Sequence, residues 1–203
     1  MARIESLEAL RTIYRAPSET VIAKQLDRLD PHCKAFIALS PFCVLATQGA
    51  DGIGDATPRG DAPGFVAVLD DRTIALPDRP GNNRLDTLGN LVANPAVGIL
   101  FLVPGFDDTL RVNGMAEIRD DADLLARFEV NGRLPATVTV VHVKETYLHC
   151  AKAFIRSKLW DPEARVDRSR LPSLGQMIKD QVSGEYPVIS DDELAELYRK
   201  TLY

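Results

Sequence analysis

Cysteine, histidine and tryptophan are scarce in this chain, at three, three and one of 203 residues. Cys33, Cys43 and Cys150 are odd in number, far apart and in no C-x-x-C arrangement, so neither a disulfide framework nor a zinc knuckle is expected. His142 sits on an alternating apolar run and reads as a satisfied barrel histidine. His149 and Cys150 are neighbours near a strand end, pointing to opposite faces with no partner close in sequence, so no metal site is expected. No apolar run approaches the roughly 20 residues that cross a bilayer, and Met1-Ala2-Arg3-Ile4-Glu5 lacks the apolar core of a secretory signal. The expectation is a cytoplasmic chain with no membrane partner. G-x-G-x-x-G and G-x-x-x-x-G-K-[ST] are both missing, which argues against the usual dinucleotide and nucleoside-triphosphate loops. Cationic excess is missing too: 24 Lys and Arg against 29 Asp and Glu give a net charge of −5, the wrong sign for a nucleic-acid surface. A small-molecule ligand is the expectation that remains.

What is present is a strand-rich centre between helical ends. Residues 1–35 read as a helical extension, with Ser18 as an N-cap and Val21, Ile22, Leu26 and Leu29 at helical spacing from Thr20. A short helix follows over 32–39. Strands are expected at 42–47, 53–57, 65–69, 73–76, 97–103, 109–118 and 136–147, separated by Gly, Asp and Pro turns. Helices are expected at 83–93, closed by Asn94-Pro95, and at 120–128. Closely spaced strands with few helices between them favour a small barrel over a doubly wound parallel sheet. The core is placed at 36–160, and 161–203 is expected to form a helical wrap ending in an amphipathic helix capped by Ser190.

Two polar stretches flank the strand at 65–69: Asp55-Ala56-Thr57-Pro58-Arg59-Gly60-Asp61 and Pro80-Gly81-Asn82-Asn83-Arg84. Their donors suit a bound phosphate. Arg59 and Arg84 offer charge-assisted, bidentate bonds; Thr57, Asn82 and Asn83 add neutral ones; and Asn83-Arg84 are expected to open a helix whose free amides favour an anion. The bland alternative is that each Arg pairs with Asp55 or Asp61 on the surface.

These stretches, together with Phe42-Cys43-Val44-Leu45-Ala46-Thr47, Ala93-Asn94-Pro95 and Leu110-Arg111-Val112-Asn113-Gly114, resemble the pyridoxamine 5'-phosphate oxidase-like FMN-binding split barrels over about residues 36–160. The resemblance implies a mainly β split barrel with flanking helices, working as a homodimer with FMN between the barrels. It implies that Arg59 and Arg84 grip the phosphate, that Thr57, Asn82 and Asn83 hold phosphate or ribityl oxygens, and that Arg111 lies near the ring or the dimer interface. Pro58 and Gly60 would shape backbone approaching the isoalloxazine. The Asn-Asn-Arg turn replaces that oxidase's serine-and-basic pattern, and its carboxy-terminal R-x-H is missing, so pyridoxamine phosphate is not the expected substrate. The segment 149–160 instead resembles the closing segment of a less characterised bacterial branch, where Lys152, Arg156, Ser157 and Trp160 would line the mouth of the site or add phosphate contacts. Trp160 either stacks on flavin or caps the core. The implied activity is an FMN-dependent oxidoreductase acting on an unidentified small molecule, with catalytic residues unassigned. A flavin carrier or sensor, or a split barrel binding haem or a deazaflavin coenzyme, stand as alternatives.

Overall fold

The computed structural model describes residues 3–202 apart from 183, 185 and 186. Two short helices, α1 (Leu7–Ile13) and α2 (Glu19–Ala23), lead to α3 (Pro31–Leu39). Ser18 occupies the N-cap of α2 without a side-chain cap bond, and the helix stops at Ala23. The apolar spacing therefore misleads beyond that point. Leu26 leaves the helix to exchange backbone hydrogen bonds with Thr146 (2.9 and 2.8 Å), and Leu29 is buried in the core. Helix α3 starts sharply because Pro31 fits the first turn and the Asp30 carboxylate accepts from the Cys33 amide at 2.8 Å.

Seven strands follow: β1 (Phe42–Gln48), β2 (Gly54–Gly60), β3 (Ala67–Asp70), β4 (Thr73–Pro77), β5 (Ala96–Leu102), β6 (Thr109–Arg119) and β7 (Val138–His149). Helix α4 (Asp86–Ala93) lies between β4 and β5, and α5 (Ala122–Ala126) between β6 and β7. All strand pairs are antiparallel and form one sheet in the order β2-β1-β5-β6-β7-β4-β3, leaving β2 and β3 as edges. This is the expected mainly β split barrel.

Alternation along β1 and β5 sends Cys43, Leu45, Val97, Ile99 and Phe101 inward, where they meet Phe36 and Ile37 of α3 and Leu91 of α4. Val44, Ala46, Gly98 and Leu100 face outward. Strand β7 is buried on both faces over 138–141, because Phe128, Leu124 and Leu125 at α5 cover Val138 and Val140 from the other side. Ser40 Oγ sits 2.7 Å from the carbonyls of both Phe42 and Leu102, joining α3 to the ends of β1 and β5. His142 corrects the expectation of a barrel interior: its side chain is half exposed and lies 3.8 Å from Glu117. The inward residues at that point of β7 are Val141 and Val143.

Beyond β7 come α6 (Lys152–Ser157), two 3₁₀ turns (Pro162–Ala164 and Arg168–Arg170), α7 (Leu174–Gln181) and α8 (Asp191–Thr201). Ser190 caps α8 in a full capping box with Glu193. Helix α7 packs on α8, and the Leu174 amide donates to Asp191 at 3.3 Å.

All three cysteines are free thiols; Cys33 and Cys43 are buried and Cys150 is exposed. Burial pushes the Cys43 thiol up to about 12 and that of Cys33 upward as well. Thiolate is the reactive form, so at pH 8 a thiol-titrating disulfide reagent should find one fast group, Cys150, in the native chain and three after denaturation. Two fast groups would mean that α3 or β1 opens locally.

Candidate functional site

A polar cleft of about 300 Å³ opens between the inner face of β2 and the loop joining β4 to α4. Strand β2 supplies Asp55, Thr57 and Arg59, and the loop supplies Asp78, Arg79, Asn82, Asn83 and Arg84. Alternation explains the first set: Asp55, Thr57 and Arg59 lie opposite the inward residues Thr47, Leu45 and Cys43, whereas Pro58 and Gly60 share the outer face with Val44 and Phe42. Pro58 is tolerated because β2 is an edge strand. With Gly60 it lines a smaller hollow of about 230 Å³, alongside Arg59, Phe65 and Pro80.

The loop is fixed by charges that its sequence gives little sign of. Arg59 Nη1 donates to Asp78 at 3.0 Å, with both side chains about three-quarters buried. Arg79 Nε donates to the nearly buried Asp61 at 2.9 Å, and its Nη1 donates to the Phe128 carbonyl at 2.8 Å. The expected alternative pairings are thus replaced: Arg59 takes Asp78, Asp61 takes Arg79, and Arg84 takes Asp86 at 2.7 Å. Nothing local marks Asp78 and Arg79 as anchors, because Pro77-Asp78-Arg79-Pro80 reads as a bare turn. Their partners are 19 and 18 residues away.

The helix boundary is also corrected. Asn83 and Arg84 do not open α4, which begins at Asp86. Asn83 and Leu85 both take left-handed backbone, with φ near 60°, and the Arg84 amide is already used by Asn82 Oδ1 at 3.1 Å. This kinked turn carries Asn82, Asn83 and Arg84 along the cleft wall. Thr87, in the first turn of α4, donates to Asp55 at 3.3 Å, and Asn90 donates to Thr47 at 3.0 Å, locking the helix beside β1 and β2.

One chain does not bring all the expected site residues together. Arg111 lies on the outer face of β6, opposite Leu100 and Tyr147, in a separate apolar cleft of about 450 Å³ that is also lined by Val44, Ala46, Gly98, Asn113, His149 and Phe154. Lys152, Arg156 and Ser157 sit on α6, which forms one side of that second cleft through Ala153 and Phe154. The Ser157 hydroxyl donates to the Phe154 carbonyl at 3.1 Å. Trp160 stacks on Phe154, with ring centroids 5.8 Å apart, and its Nε1 donates to the Phe106 carbonyl at 2.8 Å. Among the described residues, no helix is long and apolar enough to cross a membrane, and no cluster of three or more His, Cys, Asp or Glu is placed to hold a metal.

No curated protein matches the chain. Among solved structures it is similar to HupZ of Group A Streptococcus, at 19% identity over 59% of this chain and 93% of that one, with a TM-score of 0.50. It is also similar to General Stress Protein 26 of Bacillus anthracis (18% identity, 58% and 93% coverage, TM-score 0.44) and to a conserved hypothetical protein of Mycobacterium tuberculosis (20% identity, 71% and 97% coverage, TM-score 0.45). Residues 29–150, well over half the sequence and the whole of the sheet just described, match the family model of pyridoxamine 5'-phosphate oxidase, and the chain belongs to that family.

Proposed function

We propose that this chain is an FMN-dependent oxidoreductase acting on a small molecule, with the polar cleft holding the phosphate and ribityl end of the flavin. The observation that carries the reading is the meeting of Thr57 and Arg59, from an edge strand, with Asn82, Asn83 and Arg84, from a loop more than twenty residues later, around one cleft. The donor set fits a phosphate. Guanidinium forks from Arg59 and Arg84 suit its oxygens, and hydroxyl and amide groups beside them suit a polyol. Three carboxylates share the cleft: Asp78 pairs with Arg59, Asp86 with Arg84, and Asp55 accepts from Thr87. Arg84 is largely exposed, so exchanging Asp86 for phosphate disturbs little burial.

FMN supplies reversible hydride or electron transfer. The chain would bind and orient it. Arg59 and Arg84 would anchor the phosphate, Asp78 and the Arg79–Asp61 pair keep the loop in register, and Pro58 and Gly60 would shape the backbone that approaches the ring. The outer sheet face, with Val44, Ala46, Gly98 and Leu100 uncovered, is where a second copy would pack to complete the site as a homodimer. The cytoplasm suits three reduced thiols.

The test is the visible spectrum of the purified chain after incubation with FMN and desalting. Retained flavin bands support the reading, and a colourless protein refutes it. Arg84→Ala is expected to weaken FMN about tenfold, the usual worth of one exposed charge-assisted contact. Titration by quenching of flavin fluorescence measures it. Substrate-dependent reoxidation of the bound flavin then separates an enzyme from a carrier.

A further inference from the structure

The turn that carries Asn82, Asn83 and Arg84 is folded against its own sequence. Residues 83–93 pattern as one helix, yet α4 starts only at Asp86, because Asn83 and Leu85 take left-handed backbone at φ 58° and 60°. Asparagine tolerates that region, whereas leucine sets its Cβ against the following carbonyl there. Leu85 is also left largely exposed. Two contacts already prepare a helix start upstream. Asn82 Oδ1 accepts from the Arg84 amide at 3.1 Å, the bond that an N-cap side chain makes to the second helical residue. The Leu85 carbonyl accepts from the Gly89 amide at 2.8 Å, so the helical ladder runs back as far as it can unless residues 83–85 turn over. Right-handed backbone there would add bonds from the amides of Asp86, Thr87 and Leu88 to the carbonyls of Asn82, Asn83 and Arg84. It would also set Leu85 one turn before the half-buried Leu88.

The Arg84–Asp86 ion pair, with Nε 2.7 Å from Oδ2, opposes that conversion. Residues two apart do not face each other on a helix, so the pair must part before the turn can wind. We infer that a phosphate group in the polar cleft is what parts it: the anion draws the Arg84 guanidinium from Asp86, and residues 83–85 wind into the first turn of α4. Both side chains of the pair are more than half exposed, and such a pair is worth little, as are three backbone bonds open to water. The two arrangements therefore lie close in free energy, and one strong contact to Arg84 decides between them. Naming FMN as the carrier of the phosphate rests on the flavin reading above; the latch does not.

The test is NMR of the full-length chain before and after saturation with FMN. Backbone carbon shifts and HN–Hα couplings of residues 83–85 separate left-handed from right-handed helical backbone, and left-handed values should give way to helical ones. Two variants supply an independent readout: glycine accepts left-handed backbone freely and resists helix, whereas alanine shares the helical preference of leucine. Leu85→Gly should melt about 2–4 °C above the parent without FMN, yet bind FMN about tenfold more weakly by fluorescence quenching. Leu85→Ala should stay within about threefold of the parent. Retained FMN with left-handed values at 83–85, or equal FMN affinity in the two variants, overturns the latch and leaves the flavin reading standing. A parent that retains no FMN removes the flavin reading, and inorganic phosphate, set against sodium chloride of equal ionic strength, then takes its place in the same spectra. Helical values keep the latch as a response to the anion, and unchanged values overturn it.

Discussion

With FMN held as proposed, an Arg59→Gln chain will bind it about 30- to 100-fold more weakly than the parent, a loss of about 2–3 kcal/mol typical of removing one partly desolvated charge from an anion site. The effect exceeds that of Arg84→Ala because Arg59 is only 26% exposed, against 73% for Arg84. Water therefore replaces less of what is lost. Glutamine keeps a hydrogen-bond donor toward Asp78 but leaves that carboxylate without its cation, so part of any loss could come from a displaced loop. Two further variants separate the causes. Asp78→Asn keeps the Arg59 charge and should cost less affinity, whereas Arg59→Gln/Asp78→Asn relieves the orphaned carboxylate and should regain melting temperature but not FMN. Isothermal titration beside thermal melts reads both quantities. Parental affinity in the Arg59 single variant would place the phosphate elsewhere.

Gly114→Ala will cost about 2–3 kcal/mol of stability, seen as a fall of roughly 5–10 °C in melting temperature for a chain of this size. The residue lies where the β6–β7 register shifts at Asn113 and Gly114. An added Cβ would stand 2.3 Å from the His142 carbonyl oxygen and 3.0 Å from Val141 Cγ1, so backbone rather than a flexible side chain must move. Strands β6 and β7 are the longest in the sheet and neighbour each other at its centre, which leaves little room to yield. Gly89→Ala is the control. It lies within α4 with nothing inside 4 Å of the new methyl group, and should hold or raise stability. Urea melts of the two variants measure the contrast, and a neutral Gly114→Ala would show that the bulge relaxes.

How much of this could be read in advance depended on the range of the forces involved. The β1 and β5 runs announce themselves because alternation repeats within a few residues, and Ser190 with Glu193 is a local cap. Thr57, Arg59, Asn82, Asn83 and Arg84, proposed to hold the phosphate, are legible as donor types near glycine and proline, and the structure lines one cleft with them. Asp78 and Asp61 were not legible as loop anchors, because each is defined by an arginine far along the chain. Helix α4 starts later than the periodicity predicts for a related reason. Leucine carries no signal for the left-handed backbone that Leu85 adopts, so helical periodicity ran on through 83–85. Leu26 likewise keeps helical spacing while its backbone belongs to the sheet. Propensity yields there to a long-range pairing.

That pairing sets an order on synthesis. Gln25 and Leu26 leave the ribosome 120 residues ahead of their partners Glu145 and Thr146. At roughly 5–20 residues per second, the leading segment waits about 6–24 s before it can dock. The hairpin of β1 and β2 can close in that interval, whereas β4 must also wait for β7. A nascent chain released before residue 146 would hold a nearly complete polar cleft on an unfinished barrel, with Leu29 and the apolar side of α3 open to whatever chaperone is near.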